Sequence, residues 1–192
     1  GSGCWPYSPF YSTLIDGSER SGIFLDNAAA LGLFAKFGFR RGRESLVMRR
    51  TLAETPRPPC PPLPADVALI HRARGPGTWL DFAFRGWRLF DHELQSLSGE
   101  TCARAIYGRM DGQSAHAGRE LYALFGVNTA SACRRQGWAT RNLGLILDAI
   151  RGKGGQEVEL HVYADNEPAI GLYCKMGFEK VGRTASLVRA AG

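Results

Sequence analysis

The chain has 192 residues, 44% of them hydrophobic and 22% charged, the balance of a globular protein rather than a disordered or fibrous one. No apolar run reaches the ~20 residues that a membrane span needs, and GSGCWPYS lacks the basic start and apolar body of a signal peptide, so a cytoplasmic protein with no membrane partner is expected. The formal charge of +6 suits an anionic ligand such as a nucleotide or coenzyme; five scattered cysteines and four isolated histidines without ligand spacing lead to an expectation of free thiols and no metal.

In chain order, DNAAALGLFAKFGF (Asp26 to Phe39) reads as a short helix. The arginines of FRRGRESLVMRR suit a solvated strand edge or loop, and without interleaved aromatics nucleic acid is not the expected partner. Six prolines between Pro56 and Pro64 remove backbone donors and fix φ, so residues 54–65 are expected to form an extended linker between a leading piece, 1–53, and a trailing domain, 66–192. After it, DVALIHRAR reads as a strand, and TWLDFAFRGWRLFDHELQSL as helical, with Trp79, Phe82, Trp87, Phe90 and Leu94 on one face and a possible break at Gly86. CARAIYGRMDG predicts a strand ending in an Asp-Gly turn, and RELYALFGVNTA a strand with Leu121, Ala123, Phe125 and Val127 on one side. Leu143, Ile146, Leu147 and Ile150 fall at helical spacing before a glycine stop. EVELHVYAD alternates like a half-buried strand; a short helix through Ala169 to Lys175 and two closing strands, FEKVGR and ASLVRA, complete an α/β (α+β) pattern with a mixed sheet flanked by helices.

Between the strand ending near Asn128 and the helix opening near Gly137 lies CRRQGWAT. A glycine-bearing turn that runs into a helix N-terminus offers unpaired N–H groups and the positive end of a helix dipole, a cradle for phosphate. Gly137 lets the backbone approach closely, Ala139 avoids crowding, and Arg134, Arg135 and Gln136 add side-chain donors. A polar loop of no special function is the competing reading of these residues alone.

RRQGWA (Arg134 to Ala139) fits R/Q-x-x-G-x-G/A, and NEPAIGLYCKMGF fits N-x-x-A-x-x-L-Y-x-K-x-G-F. Together, from about Asp66 to Arg189, they resemble the GNAT superfamily of acyl-CoA-dependent N-acyltransferases. The resemblance implies that the pyrophosphate of coenzyme A rests on the turn Arg134, Arg135, Gln136, Gly137, Trp138, Ala139 and Thr140. The pantetheine arm would pair with Phe125, Gly126 and Val127, and the next strand, around Val162 and Tyr163, would splay away to open a thioester slot. Asn166 would contact the arm, and Tyr173 would protonate the departing thiolate. It implies acetyl-CoA as co-substrate and a small-molecule or peptide amine as acceptor, attacking directly without metal. Glu120 is the first candidate for the base that deprotonates the amine, with Glu159, His161 or a water relay as further candidates. A non-catalytic acyl-CoA-binding or interaction module is the alternative. Relative to the family, Arg134 stands seven residues beyond Val127, about two more than usual, so a bulged or longer turn is expected, and a strand is expected where DGQSAHAG stands.

DNEPAIGLYCKMGF (Asp165 to Phe178) shares eight of fourteen positions with Asp26 to Phe39. The leading piece therefore resembles the closing part of a first, incomplete unit of the same fold, as in tandem GNAT proteins, with Phe34 where the second copy has Tyr173. It is expected to pack its apolar helix face, Leu33, Phe34 and Phe37, on the trailing domain or on a second chain as a possible homodimer, and to border the acceptor site.

Overall fold

The computed structural model describes residues 22–53, 62–73 and 88–189. Among them, eight strands form one sheet: β1 (Ile23–Phe24), β2 (Phe39–Thr51), β3 (Val67–Ala73), β4 (Leu89–Ser96), β5 (Thr101–Arg109), β6 (Leu121–Thr129), β7 (Glu157–Tyr163) and β8 (Glu179–Arg189). The helices are α1 (Ala28–Lys36), α2 (Asp111–Ala117), α3 (Trp138–Gly152) and α4 (Glu167–Lys175). The strand order is β1-β8-β2-β7-β6-β5-β4-β3. Only β6 and β7 run parallel, because α3 carries the chain back across the sheet between them. This mixed sheet with flanking helices is the architecture expected from the sequence.

The repeated phrase is a pair of helix boundaries. Asn27 and Asn166 are the N-caps of α1 and α4, their side chains accepting from Ala30 N at 3.0 Å and Ala169 N at 3.3 Å. Gly38 and Gly177 both follow the helices at φ +79°, a left-handed turn that a side chain resists. The shared positions thus include those that start a helix (Asn27/Asn166, Ala30/Ala169) and the one that stops it (Gly38/Gly177).

The leading piece is built into the sheet. β2 lies between β7 and β8, antiparallel to both. The pairings repeat at the sequence offset that separates Asp26 from Asp165. Phe24 opposite Thr184 is matched by Tyr163 opposite Ser45, and Ile23 opposite Ala185 by Val162 opposite Leu46. Leu25 N donates to Arg183 O at 2.9 Å as Ala164 N donates to Glu44 O at 3.0 Å. Ser45 opposite Thr184 maps onto itself, so a local two-fold axis passes through the sheet between these two buried residues. It relates β1-α1-β2 to β7-α4-β8.

The core lies on both faces. On one, α3 seats Leu143, Ile146, Leu147 and Ile150, and α4 seats Tyr173, against Met48, Leu124, Val158 and Leu160. On the other, Leu89, Met110, Leu121, Ala123 and Phe125 pack together. Arg50, buried on β2, donates to the Met176 carbonyl at the end of α4.

Several local expectations are revised. Residues 89–96 form strand β4 rather than the end of a helix; its buried positions include His92 and Glu93 beside Leu94, so the polar residues masked the strand pattern. Trp79, Phe82, Gly86 and Trp87 lie outside the described residues. Asp111 opens helix α2 instead of a turn, and that helix stands where a strand is expected. Both faces of β7 are buried, Glu157, Glu159 and His161 included. The two closing strands are one, β8, with a register irregularity opposite Val47 and Met48. On α1, Phe34 packs edge-on against Phe39 at 5.5 Å, whereas Leu33 and Phe37 stay 55% and 65% exposed.

Candidate active site

The parallel pairing of β6 with β7 ends at Leu124 opposite Leu160. Beyond that point β7 follows β2, Val162 pairing with Leu46 and Tyr163 with Ser45. β6 follows β5 through a bulge at Gly126 (φ +52°), between the pairs Phe125–Ile106 and Asn128–Arg104. The β6–β7 pairing thus stops before Phe125, Gly126 and Val127, and a wedge opens there along the edge of β6. Such an edge accepts an extended ligand as an added strand.

β6 runs from this wedge into a 3-10 turn, Ser131–Cys133, and then the turn Arg134 to Gly137. Arg135 at φ +60° and Gly137 at φ +81° are both left-handed, and no side chain caps the start of α3, so its first N–H groups point outward. The turn is braced from within: Arg141 donates to Gln136 O at 2.9 Å, Gln136 to Ala132 O at 2.9 Å and Trp138 to Gln136 Oε1 at 3.2 Å. Gln136 and Trp138 thus shape the loop, while Arg134 and Arg135 are exposed at its rim. Ala139 and Thr140 form the first turn of α3.

Asn166 and Tyr173 belong to α4, following the splayed end of β7. The Asn166 oxygen is committed to its cap, leaving the amide nitrogen as the donor. Tyr173 is 6% exposed and meets Phe178 edge-on at 5.9 Å.

Glu120 stands apart from this group. It precedes the first paired residue of β6, five residues before Phe125, or roughly 16 Å along an extended strand. Its carboxylate is gripped by Arg109, with one contact of 2.7 Å. The hydrogen bond from Arg109 holds it below the ordinary carboxylate range, which weakens it as a base.

Glu159 and His161, by contrast, reach the apex of the wedge. His161 is the residue after Leu160, on the opposite face from α3 and α4, as is Phe125 across the gap. His161 Nε2 lies 3.7 Å from Glu159 Oε1, and its buried Nδ1 has no hydrogen-bond partner among the described residues. Arg49 of β2 donates to Glu159 at 2.8 Å. Burial pushes the Glu159 carboxyl up, but the hydrogen bonds from His161 and Arg49 outweigh it and hold it low.

A polar cluster not foreseen from the isolated histidines sits under α3. Tyr107, fully buried, meets His71 Nε2 at 2.9 Å, and burial pushes its phenol up to about 12. His92 Nδ1 lies 2.8 Å from Asn142 Oδ1 in the first turns of α3. The signal was present only as register: His71 stands opposite His92, and Phe90 opposite Tyr107.

No group of three or more metal-ligating side chains is found among the described residues, and no helix there is long and apolar enough to cross a membrane. Cys102, Cys133 and Cys174 are free thiols.

Known proteins similar to this chain carry the names of acetyltransferases. The chain is 31% identical over 179 residues to a mycothiol acetyltransferase of Actinosynnema mirum, covering 81% of this chain and 58% of that protein. A mycothiol acetyltransferase of Catenulispora acidiphila is 26% identical over 79% of this chain and 55% of its own length. The chain thus spans a little over half the length of these curated relatives. Among solved structures, a tandem GNAT protein from the clavulanic acid biosynthesis pathway superposes with a TM-score of 0.70 at 17% identity, covering 92% of this chain and 62% of that one. A GCN5-related N-acetyltransferase from Sphaerobacter thermophilus gives 0.59 at 22% identity, with 89% and 60% covered; both show a shared fold. Residues 65–178 match the profile of the Acetyltransferase (GNAT) family, so the chain belongs to that family and carries its acetyltransferase domain.

Proposed function

We propose that this chain moves an acetyl group from acetyl-CoA to a primary amine by direct attack within a ternary complex. The observation that carries the reading is the continuity of wedge and turn: β6 leaves β7 at Leu124 and runs straight to the uncapped start of α3. A phosphate cradle and a slot for an extended arm therefore adjoin. The backbone N–H groups of Arg135 to Thr140, with the Arg134 and Arg135 side chains, hold the pyrophosphate. Phe125, Gly126 and Val127 pair with the pantetheine arm and polarise the thioester carbonyl, and the Asn166 amide nitrogen donates to the arm. Acetyl-CoA supplies the activated acyl group.

Because α3 and α4 fill one face at the apex, the amine approaches from the other, where His161 and Glu159 stand. His161 takes the ammonium proton, with Glu159 stabilising the imidazolium; Tyr173, on the α4 side, returns a proton to the thiolate. Glu120 is left with a structural role in the Arg109 ion pair. The relatives' name makes the amine that mycothiol carries before acetylation the first acceptor to test. We also read residues 1–53 as the closing part of a first acetyltransferase-like unit, joined by 54–65 to the domain 66–192; the two-fold arrangement supports this.

Thiol release from acetyl-CoA across a panel of amines tests the reading. Tyr173→Phe is expected to lower turnover by about 10²-fold, with coenzyme A still stabilising the protein by roughly 2.7 kcal/mol at ~100 times its Kd. His161→Gln should lower turnover similarly, and Glu120→Gln should leave it within about threefold. Unchanged turnover in Tyr173→Phe removes that residue from the mechanism. Stabilisation by coenzyme A without thiol release from any amine would favour the non-catalytic binding module.

A further inference from the structure

One difference between the two halves related by the local axis lies at Arg43. In the trailing half, Arg43, from the irregular stretch of β2 between Arg41 and Glu44, lays its guanidinium 3.3 Å from the centre of the Tyr163 ring. The same group donates to both oxygens of Asp165, at 2.8 and 2.9 Å. Under the two-fold, Tyr163 corresponds to Phe24, Asp165 to Asp26, and Arg43 to Gly182. The aromatic ring and the carboxylate are therefore present in the leading half, and the arginine is not. In its stead there is a cavity of about 550 Å³, lined by Phe24, Asp26, Val47, Arg49, Gly182 and Arg183 among others.

The two arginines of the lining are already paired. Arg49 is held by Glu159 and Glu157, and Arg183 lies 3.7 Å from Glu44. The Asp26 carboxylate makes no hydrogen bond or ion pair among the described residues. A flat cation that stacks on a ring and bridges a carboxylate fits this site better than a compact ammonium, because the guanidinium fork matches two carboxylate oxygens and its plane matches the ring.

We propose that the cavity beside Phe24 and Asp26 binds the guanidinium group of a small organic cation, held as Tyr163 and Asp165 hold Arg43 in the other half. The site lies over β1, β8 and β2 and holds none of the residues assigned to acetyl transfer, although Arg49 of its lining also donates to Glu159. Agmatine is a suitable probe, with putrescine, which lacks the guanidinium, as the control. Titrated into the full chain and followed by amide NMR, agmatine should give saturable shifts at Phe24, Asp26 and Gly182, with a Kd on the order of millimolar. Asp26→Asn should weaken binding at least about tenfold, and putrescine should bind more weakly than agmatine. Gly182→Arg supplies the missing arginine; its Cβ would meet the Phe24 ring edge at 2.9 Å, so the ring must shift slightly. In that variant the agmatine response should vanish. Equal binding by wild type and Asp26→Asn, shifts confined to other residues, or equal response to putrescine would each overturn the proposal. If Gly182→Arg does not fold, the Asp26→Asn and putrescine arms decide it.

Discussion

At the scale of single residues, His92 shows how a buried titratable group shapes the molecule without touching the chemistry. Its Nδ1 lies 2.8 Å from the Asn142 side-chain oxygen and so ties α3 to the sheet close to the turn at the start of that helix. Burial lowers its pKa, only partly offset by the Asn142 hydrogen bond, and the nearby His71 lowers it further. A histidine depressed in the folded state binds fewer protons there than in the unfolded chain. Its contribution to stability is complete above the unfolded value of about 6.5 and is lost as pH falls from there toward the folded value. Chemical denaturation should therefore show stability falling between pH 7 and pH 5, and His92→Gln should flatten that slope. The lowered carboxylates Glu120 and Glu159 act in a more acid window, below about pH 4.5, so the two effects separate on the pH axis.

At the scale of elements, the α4 glycines make opposite predictions. Gly171 lies inside the helix, where an added Cβ would meet nothing within 4 Å, whereas Gly177 ends it at φ +79°. Gly171→Ala should stabilise the protein by about 0.5–1 kcal/mol, and Gly177→Ala should destabilise it by about 1 kcal/mol. Thermal or urea unfolding of the pair separates helix entropy from left-handed strain. Local rules of this kind were readable in the sequence where they govern α3: the glycine-bearing turn that enters it, its 3.6-residue spacing and the glycine stop after it. β4 was not, because His92, whose partner Asn142 comes from α3, occupies a core position that hydrophobic periodicity assigns to an apolar residue. Glu159 and His161 stood in the sequence as further candidates for the base behind Glu120, and the end of the β6–β7 ladder at Leu160 adds their place beside the wedge.

At the scale of the whole molecule, the insertion of β2 between β7 and β8 lay beyond any local pattern, since Ser45 meets Tyr163 and Thr184 across most of the chain. The repeated phrase signalled kinship between the two ends, and the shared register turned it into an axis. A chain limited to residues 62–192 should therefore fail to unfold cooperatively: β7 loses its antiparallel neighbour, and the Met176 carbonyl loses Arg50. Supplying residues 1–53 in trans should restore a cooperative transition by circular dichroism; cooperative melting of 62–192 alone would show that β2 is dispensable.

The same insertion sets an order of events during synthesis. Phe39 pairs with Arg189, so β2 leaves the ribosome long before either of its neighbours exists. At roughly 5–20 residues per second it waits ~5–20 s for β7, and this part of the sheet closes only when β8 arrives. Contacts so distant in sequence make folding slow, and the interval is one in which a holding chaperone, or a second nascent copy, meets the strand first.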